Sequence, residues 1–419
     1  MYRSRTRRYL PRSLTTVWCA LIIIAALLLG LPLQAEDDSP PSDTASDTLT
    51  ADNAAGVRSI RDAIEELESR DGAYAAGLPE QMLSLGLALQ QQERHEDALG
   101  IFKRGVHLAR INDGLKSLRQ VPLLEGQIKS AVALGQYSLA DELQQTLYRV
   151  QVRDLAAGEQ RAAIMLQQAN WQFNAFKLGL EPKSGRLVNM WDLYYLAWSD
   201  IGEAAGKTSP KLLPPLYGLL QTQYLVTQYQ AENEPVGHNF NANPIHSDLN
   251  QFYVYRSQNY ELGKSVILSI YNIQRSNLGQ ESSEAVDALV KLGDWALWNK
   301  KYDQANDAYR HALTELALND DAKELEQRLF ATPVPLPDIK GLSTLPKAVS
   351  ADKGNILVEF AVDERGKVSD LVRLDTNEES TTQAEQLMRV LRATKFRPRF
   401  EAGQPTGTAK LVRAYDIKP

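Results

Sequence analysis

Histidine and cysteine, the residues best able to do chemistry, are few in this chain and widely spaced. The histidines are His95, His107, His238, His246 and His311, and none has the His-Glu-x-x-His spacing that holds zinc on one helix face. No glycine-rich phosphate loop and no Gly-x-Ser-x-Gly nucleophile elbow occurs. We therefore predict no catalytic residue, no cofactor and no metal site. An envelope enzyme whose site is assembled only in space is one alternative.

The charge balance points away from nucleic acid as a partner. The 419 residues carry a formal net charge of −6, whereas nucleic-acid-binding proteins usually present a basic face. A hydrophobic fraction of 43% and a charged fraction of 23% are ordinary for a soluble globular protein. The length allows two or three domains with cores of their own.

The N-terminal segment has the three parts of an export signal. Residues 1–16 carry five arginines and no acid, residues 17–33 are apolar, and Leu33-Gln34-Ala35 is a small-residue cleavage pattern. This pattern predicts a signal peptide over residues 1–35, whose cleavage would also remove the single cysteine, Cys19. The alternative is an uncleaved inner-membrane anchor through 17–33. A spanning helix needs about 20 apolar residues, and Pro32 interrupts this run.

Residues 36–56 carry six acids and no base. A segment with so little to bury does not offset the entropy of ordering its chain, so we predict a disordered acidic linker.

Residues 57–330 show apolar residues at helical spacing, and two stretches share a pattern. Each has a glycine followed by a small residue at +12, an aromatic at +16 and a small residue at +19. The two sets are Gly86, Ala98, Phe102 and Gly105, and Gly293, Ala305, Tyr309 and Ala312. We interpret the glycine as facing the small residue at +12 where two helices approach closely. The pattern resembles the tetratricopeptide repeat (TPR), which stacks helix pairs into a superhelix.

Weaker copies of the pattern indicate a period. Ala98, Ala140, Gly263 and Ala305 are separated by 42, 123 and 42 residues, which indicates a unit near 42 with two further copies at 150–245. Those middle copies lack the signature but hold many aromatics. We expect most of these aromatics to pack between helices. Tyr195, Trp198 and Tyr224 are the candidates for anchoring a partner peptide in a groove.

Prolines at alternate positions in Ala331–Leu345 exclude a helix and predict an extended Pro-rich linker over residues 331–350. Beyond it the apolar period becomes two. Residues 356–363 alternate as a half-buried strand, Asp363–Gly366 forms a turn, and 368–374 is the return strand. A helix over about 380–396 and a last alternating strand near 408–417 complete the segment. The fold class predicted is mostly α, a TPR-like superhelix followed by a small α+β domain of ββαβ order over residues 351–419.

This C-terminal segment resembles the TonB carboxy-terminal domain. The resemblance is carried by Asp363 and Gly366 in the turn, Phe396-Arg397-Pro398 after the helix, and Gly403-Gln404-Pro405 before the last strand. It implies a periplasmic domain of a Gram-negative bacterium that binds an extended peptide of an outer-membrane transporter as an added strand. We place the exposed edge at the last strand, with Lys410, Val412, Arg413 and Tyr415 as partner-binding residues.

Two functions therefore remain in competition with the enzyme. The first is a periplasmic protein–protein interaction scaffold that binds an envelope protein through its repeats and its TonB-like domain. The second is a membrane-anchored TonB-type energy transducer that serves an outer-membrane transporter. The basic residues Arg389, Arg392, Lys395, Arg397 and Arg399 suggest an anionic surface as a target, although cations at a helix C-terminus are expected from the helix dipole alone.

Overall fold

The computed structural model describes residues 43–229 and 244–417, with side chains from 55–229 and 249–417. The chain divides into a unit before Gly56 and a compact unit over Gly56–Pro419. The predicted signal peptide 1–35, the alternative anchor 17–33 and residues 36–42 lie outside the described part. Among the residues that are described, no helix is both long and apolar enough to cross a membrane.

The first described element, helix α1, spans Asp43–Asp71. The prediction of disorder is therefore wrong for residues 43–56, which are helical. Alanine, the residue with the highest helix propensity, occupies positions 51, 54 and 55 of this segment.

Helices then follow one another in packed pairs, which confirms the predicted helical-repeat region. The pairs are α2 (Leu78–Gln91) with α3 (His95–Asp113), α4 (Val121–Ala133) with α5 (Tyr137–Val152), α6 (Glu159–Lys177) with α7 (Lys183–Ala205), α8 (Leu213–Gln228) with α9 (Pro244–Leu278), and α10 (Ser283–Trp298) with α11 (Tyr302–Leu316). Helix α12 (Ala322–Phe330) follows them. Each helix from α2 to α11 packs on the next one along the chain, so the pairs form a stack.

The period of 42 residues does not extend through the middle of the chain. The described residues of 150–245, which exclude 230–243, contain the helix pair α6–α7 and the first helix of the next pair, α8, rather than two further copies. Helices α7 and α9 have 23 and 35 residues, longer than the others in the stack, so fewer pairs occupy the same length of sequence.

The repeat signature describes how glycine and aromatic residues pack. A Cβ on Gly86 would lie 2.4 Å from the Phe102 ring, and a Cβ on Gly293 would lie 2.3 Å from the Tyr309 ring. The glycine therefore makes room for the aromatic at +16, rather than facing the small residue at +12 as predicted. The small positions Ala98, Ala305 and Ala312 are fully buried, and they let the helices approach closely.

The C-terminal domain contains a three-stranded antiparallel sheet with strand order β3-β2-β7. Its strands are β2 (Ile356–Val362), β3 (Val368–Arg373) and β7 (Thr408–Tyr415), and helix α13 (Thr381–Ala393) packs on one face. The apolar alternation of β2 is reproduced as strictly alternating burial. Short strands β4 (Phe396–Arg397), β5 (Arg399–Glu401) and β6 (Gln404–Thr406), which were not predicted, stand between α13 and β7.

The Pro-rich segment is extended, as predicted, but it is not a free linker. Its strand β1 (Val334–Pro335) pairs with β4, and the amide of Leu336 donates to the carbonyl of Lys395 at 2.8 Å. Leu336 and Phe400 are buried in the core of the helical stack. The linker prediction for 331–350 fails because Leu336 and Leu342 pack into the core of the stack and Leu345 packs into the core of the sheet domain.

Candidate peptide-binding site

The outer border of β7 is the feature of the described structure best suited to bind an extended peptide. Strand β7 pairs with β2 on one side only. On the other side, the sole described partner is Val349, whose amide donates to the carbonyl of Ala414 at 2.9 Å. Because strand residues alternate, Val412 presents its amide and carbonyl to the same outer side as Ala414. Within the described residues, this places unpaired backbone groups at Val412 on an accessible sheet edge.

The side chains of β7 divide between the two faces of the sheet. Lys410 and Val412 are exposed on the face away from α13, and Val412 is 47% exposed. Arg413 lies beside Val358 on the helix-facing side and is half-buried. Tyr415 lies beside Ile356 and is only 3% exposed, so its predicted role as a partner-binding side chain is wrong. Its ring belongs to the domain core.

The opposite border of the sheet, β3, is shielded by irregularity and charge. The β2–β3 register shifts between Glu359 and Ala361, and Asp370 at the bulge has φ of 50°. Bulges and exposed charges on an edge strand discourage pairing with another chain. Strand β7 also has a register shift, opposite Phe360–Val362, so its regular edge runs from Leu411 to Tyr415.

The predicted aromatic anchors do not form one surface. Tyr195 is 49% exposed and packs against the half-buried Trp198 with ring centroids 5.5 Å apart. Tyr224 is 1% exposed and packs edge-on against Trp295 at 4.8 Å, so its predicted role is wrong. Burial, with the Asp294 carboxylate next, raises the pKa of Tyr224 well above its ordinary value. Most other aromatics of the middle region are buried in the core of the stack or half-buried against it, as expected for helical aromatics.

The structure disperses the predicted basic cluster. Arg389 and Arg392 are exposed on α13, Lys395 donates to the carbonyl of Leu297, and Arg399 pairs with Glu401 at 2.8 Å. A continuous basic surface is therefore absent from these five positions.

Arg397, the fifth member of that cluster, is buried and joins the C-terminal domain to the helical stack. Its guanidinium donates to both carboxylate oxygens of Asp294, at 2.8 and 2.6 Å, and to the carbonyl of Leu329 at 3.0 Å. Tyr309 donates to the same carboxylate at 2.7 Å. Burial lowers the pKa of Arg397, but the Asp294 carboxylate outweighs it and the pKa lies above the ordinary value. The guanidinium of Arg397 therefore keeps its charge in this buried position.

This junction was missed by sequence reasoning. The sequence pattern assigns Arg397 only to the TonB-like motif and to the basic cluster. The available signal is Asp294, an acid between Gly293 and Trp295 in the apolar second half of α10, because a buried carboxylate there needs a cation. Its partner lies 103 residues away, and nothing in the local pattern identifies it.

Comparison with known proteins adds a weak structural likeness. No protein-family model matches the sequence, and no curated protein matches it. Among solved structures, the nearly identical TPR-like repeats of a candidate kinesin light chain from Podosopora anserina are similar, as is a single-substitution variant of them. Each match has 12% identity and a TM-score of 0.36, and covers 57% of this chain and 94% of that chain. The helix-pair architecture rests on the packing described above.

Within the described residues, histidine, cysteine and carboxylate groups form no cluster able to hold a metal ion. His238 and His246, which share a polar loop in the sequence, lie outside the residues whose side chains are described.

Proposed function

We propose that this protein is a periplasmic protein–protein interaction scaffold that binds an extended segment of an envelope protein as an added strand on β7. The observation that carries the proposal is the outward-facing backbone of Val412 on an edge without a neighbouring strand at that position. Backbone amides supply affinity in this mode of recognition, and the side chains beside Val412 supply selectivity. An outer-membrane transporter peptide is the partner class implied by the TonB resemblance.

The contacts of the TonB-like motif residues support this proposal. Gly366 has φ of 74°, and a Cβ there would lie 1.8 Å from the carbonyl oxygen of Phe396. The amide of Phe396 in turn donates to the carbonyl of Gly366 at 2.9 Å. Two separate pieces of the motif therefore contact each other, and only glycine fits the turn. This contact fixes the end of the β2–β3 hairpin against the segment that leads into β7.

The junction at Arg397 favours a scaffold over an energy transducer. A transducer domain must travel on a spacer to reach its transporter, whereas this domain is fastened to the helical stack by a buried ion pair and by the β1–β4 pairing. Separation would break the ion pair and leave the Asp294 carboxylate with the Tyr309 hydroxyl as its remaining side-chain donor, which is costly. The stack and the sheet therefore present their surfaces together.

The mature N-terminus distinguishes the two candidates. We expect a chain that begins at Glu36 and is released with the soluble periplasm. A chain that retains residues 17–33 and stays in the inner membrane would support the transducer instead.

The strand-addition site is tested by replacing Lys410 with a photo-crosslinking amino acid in the full-length protein. The variant is expressed in the native host, so that its envelope partners are present. We expect a crosslinked partner polypeptide that is lost on Val412→Pro, because proline removes the outward amide while leaving the pairing to β2 intact. Val412→Thr is the matched control, since it retains the amide and the branched shape. A crosslink of equal yield in the Val412→Pro variant would exclude strand addition at this edge.

A further inference from the structure

The segment Leu345–Val349, named here the edge segment, lies along the β7 border of its own domain. Leu345 is 6% exposed and belongs to the core cluster that includes Tyr415 and Leu391. Four residues later, Val349 forms an antiparallel bridge with Ala414 through a 2.9 Å backbone hydrogen bond. The three residues between them are exposed. The edge segment thus has an apolar anchor and a strand-like end, as a bound peptide has.

The edge segment uses an acceptor that a guest strand would need. A strand that pairs along the regular edge of β7 would bond to Val412 and Ala414, which face the same side. The Ala414 carbonyl already accepts from Val349, and the chain turns away at residues 351–353. A single backbone hydrogen bond changes an equilibrium by about twofold to tenfold, so a longer strand can displace this one.

A groove of about 350 Å³ lies beside the edge segment. Thr344 and Pro346 line it together with Leu387 and Val390 of α13. Gln383 also lines the groove, and its Oε1 atom is buried with no hydrogen-bond partner among the described residues. Such an acceptor suits a peptide amide, because a buried polar atom without a partner is unfavourable. The groove and the β7 edge would become one surface if the edge segment moved.

We propose that the edge segment is an internal ligand of the β7 border, which an extended partner peptide displaces at Ala414. This inference rests on the proposed function and adds its regulation. It also defines the partner chemistry: an extended peptide with apolar residues four positions apart, spaced as Leu345 and Val349 are. Its anchor side chain takes the place of Leu345, and its backbone continues past Ala414 to Val412.

The test uses a fluorescent synthetic peptide with the sequence of residues 342–351, added to the full-length protein, with binding followed by anisotropy. Val349→Pro removes the amide that bonds to Ala414, and we expect this variant to bind the peptide about tenfold more tightly than the wild type. Ala348→Pro is the matched control, because no described hydrogen bond involves the amide of this exposed residue. Adding Val412→Pro to the Val349→Pro variant should abolish the gain.

A second measurement does not depend on any substitution. In the wild-type protein, saturating peptide should increase hydrogen–deuterium exchange over residues 342–354, because the displaced segment loses its protection. Equal peptide affinity in the wild type and Val349→Pro, or unchanged exchange, would overturn the internal-ligand proposal. If the Lys410 crosslink still depends on the Val412 amide, strand addition itself survives that result. A crosslink whose yield is unchanged by Val412→Pro would contradict both the strand-addition proposal and the internal-ligand proposal.

Discussion

The helical stack and the C-terminal sheet offer a partner different chemistry. In the stack, backbone amides are bonded within each helix, so a partner can contact only side chains such as Tyr195 and Trp198. In the sheet, β7 presents backbone groups at Val412 to an accessible side. Backbone recognition tolerates many guest sequences, whereas side-chain recognition depends on the few aromatics that remain exposed. Under our proposal, the sheet is the binding surface and the stack supports it.

The two regions also differ in how they pack. Glycine against an aromatic ring brings helices together in the stack, at Gly86 with Phe102 and at Gly293 with Tyr309. Alternating apolar side chains of β2 against α13 build the sheet domain. The Asp294–Arg397 pair lies where these two modes meet, next to Tyr309. Substitutions at the junction, in the stack and in the sheet therefore test the comparison separately.

The largest loss of stability is expected from a substitution at the Asp294–Arg397 junction. Asp294→Ala leaves the Arg397 guanidinium buried and without its carboxylate, which should lower the free energy of unfolding by about 3–5 kcal/mol. Urea unfolding of the full-length protein measures the loss. Asp338→Ala is the control, because this half-exposed carboxylate contacts the same guanidinium at 3.2 Å. Equal losses in the two variants would show that the domains are not held together by the buried pair.

In the stack, Gly293→Ala should lower the free energy of unfolding by about 1–3 kcal/mol, the usual cost of overpacking a core. The added Cβ would lie 2.3 Å from the Tyr309 ring, in a contact that has no room to relax. Gly100→Ala is the matched control, since an added Cβ meets no atom within 4 Å. Because Gly100 lies in the interior of helix α3, the Gly100→Ala substitution should stabilise the protein by up to about 1 kcal/mol. A Gly293→Ala variant as stable as the wild type would refute the interpretation that the glycine makes room for the aromatic ring in each repeat.

In the sheet domain, acid should remove one specific contribution to stability. Hydrogen bonds from Arg373, opposed by partial burial, lower the pKa of Asp375 from 3.8 to about 2. The contribution of the ionised Asp375 to the free energy of unfolding is fully present above the unfolded-state pKa of 3.8. It is lost as the pH falls through about 2.

Solvent screening limits this contribution to about 1 kcal/mol. Urea unfolding of the wild type and of Asp375→Asn, followed from pH 5 downwards, measures it. The difference between the two proteins should shrink through the acid range. A difference that does not change with pH would exclude the Asp375 carboxylate as its source.

The smallest effect is expected at the exposed aromatic of the stack. Tyr195→Ser should change the free energy of unfolding by no more than about 0.5 kcal/mol and leave the Lys410 crosslink intact. Tyr224→Ser is the contrast, because loss of this buried ring should cost about 3–5 kcal/mol. A crosslink that disappears in Tyr195→Ser at unchanged stability would move the binding surface from the sheet to the stack.

Periodic features of the sequence predicted the architecture well. The helical period gave the stack, the offsets after Gly86 and Gly293 identified two equivalent helix pairs, and alternation identified β2, β3 and β7. These succeed because each depends on residues a few positions apart on one helix face or one strand face. The edge position of β7 was also anticipated. The count of pairs in the middle failed because α7 and α9 depart from the common length.

The sequence by itself determined the elements of this protein, through spacings that every helix or strand must satisfy locally. Only the tertiary structure decided that Tyr224 and Tyr415 are core residues, that Arg397 pairs with Asp294, and that Val349 covers the end of β7. Each of these outcomes joins residues that are far apart in the chain or depends on what packs over a face. Aromatic and basic residues carry the same chemistry on a surface and in a core, so neighbours from other elements decide which role they take.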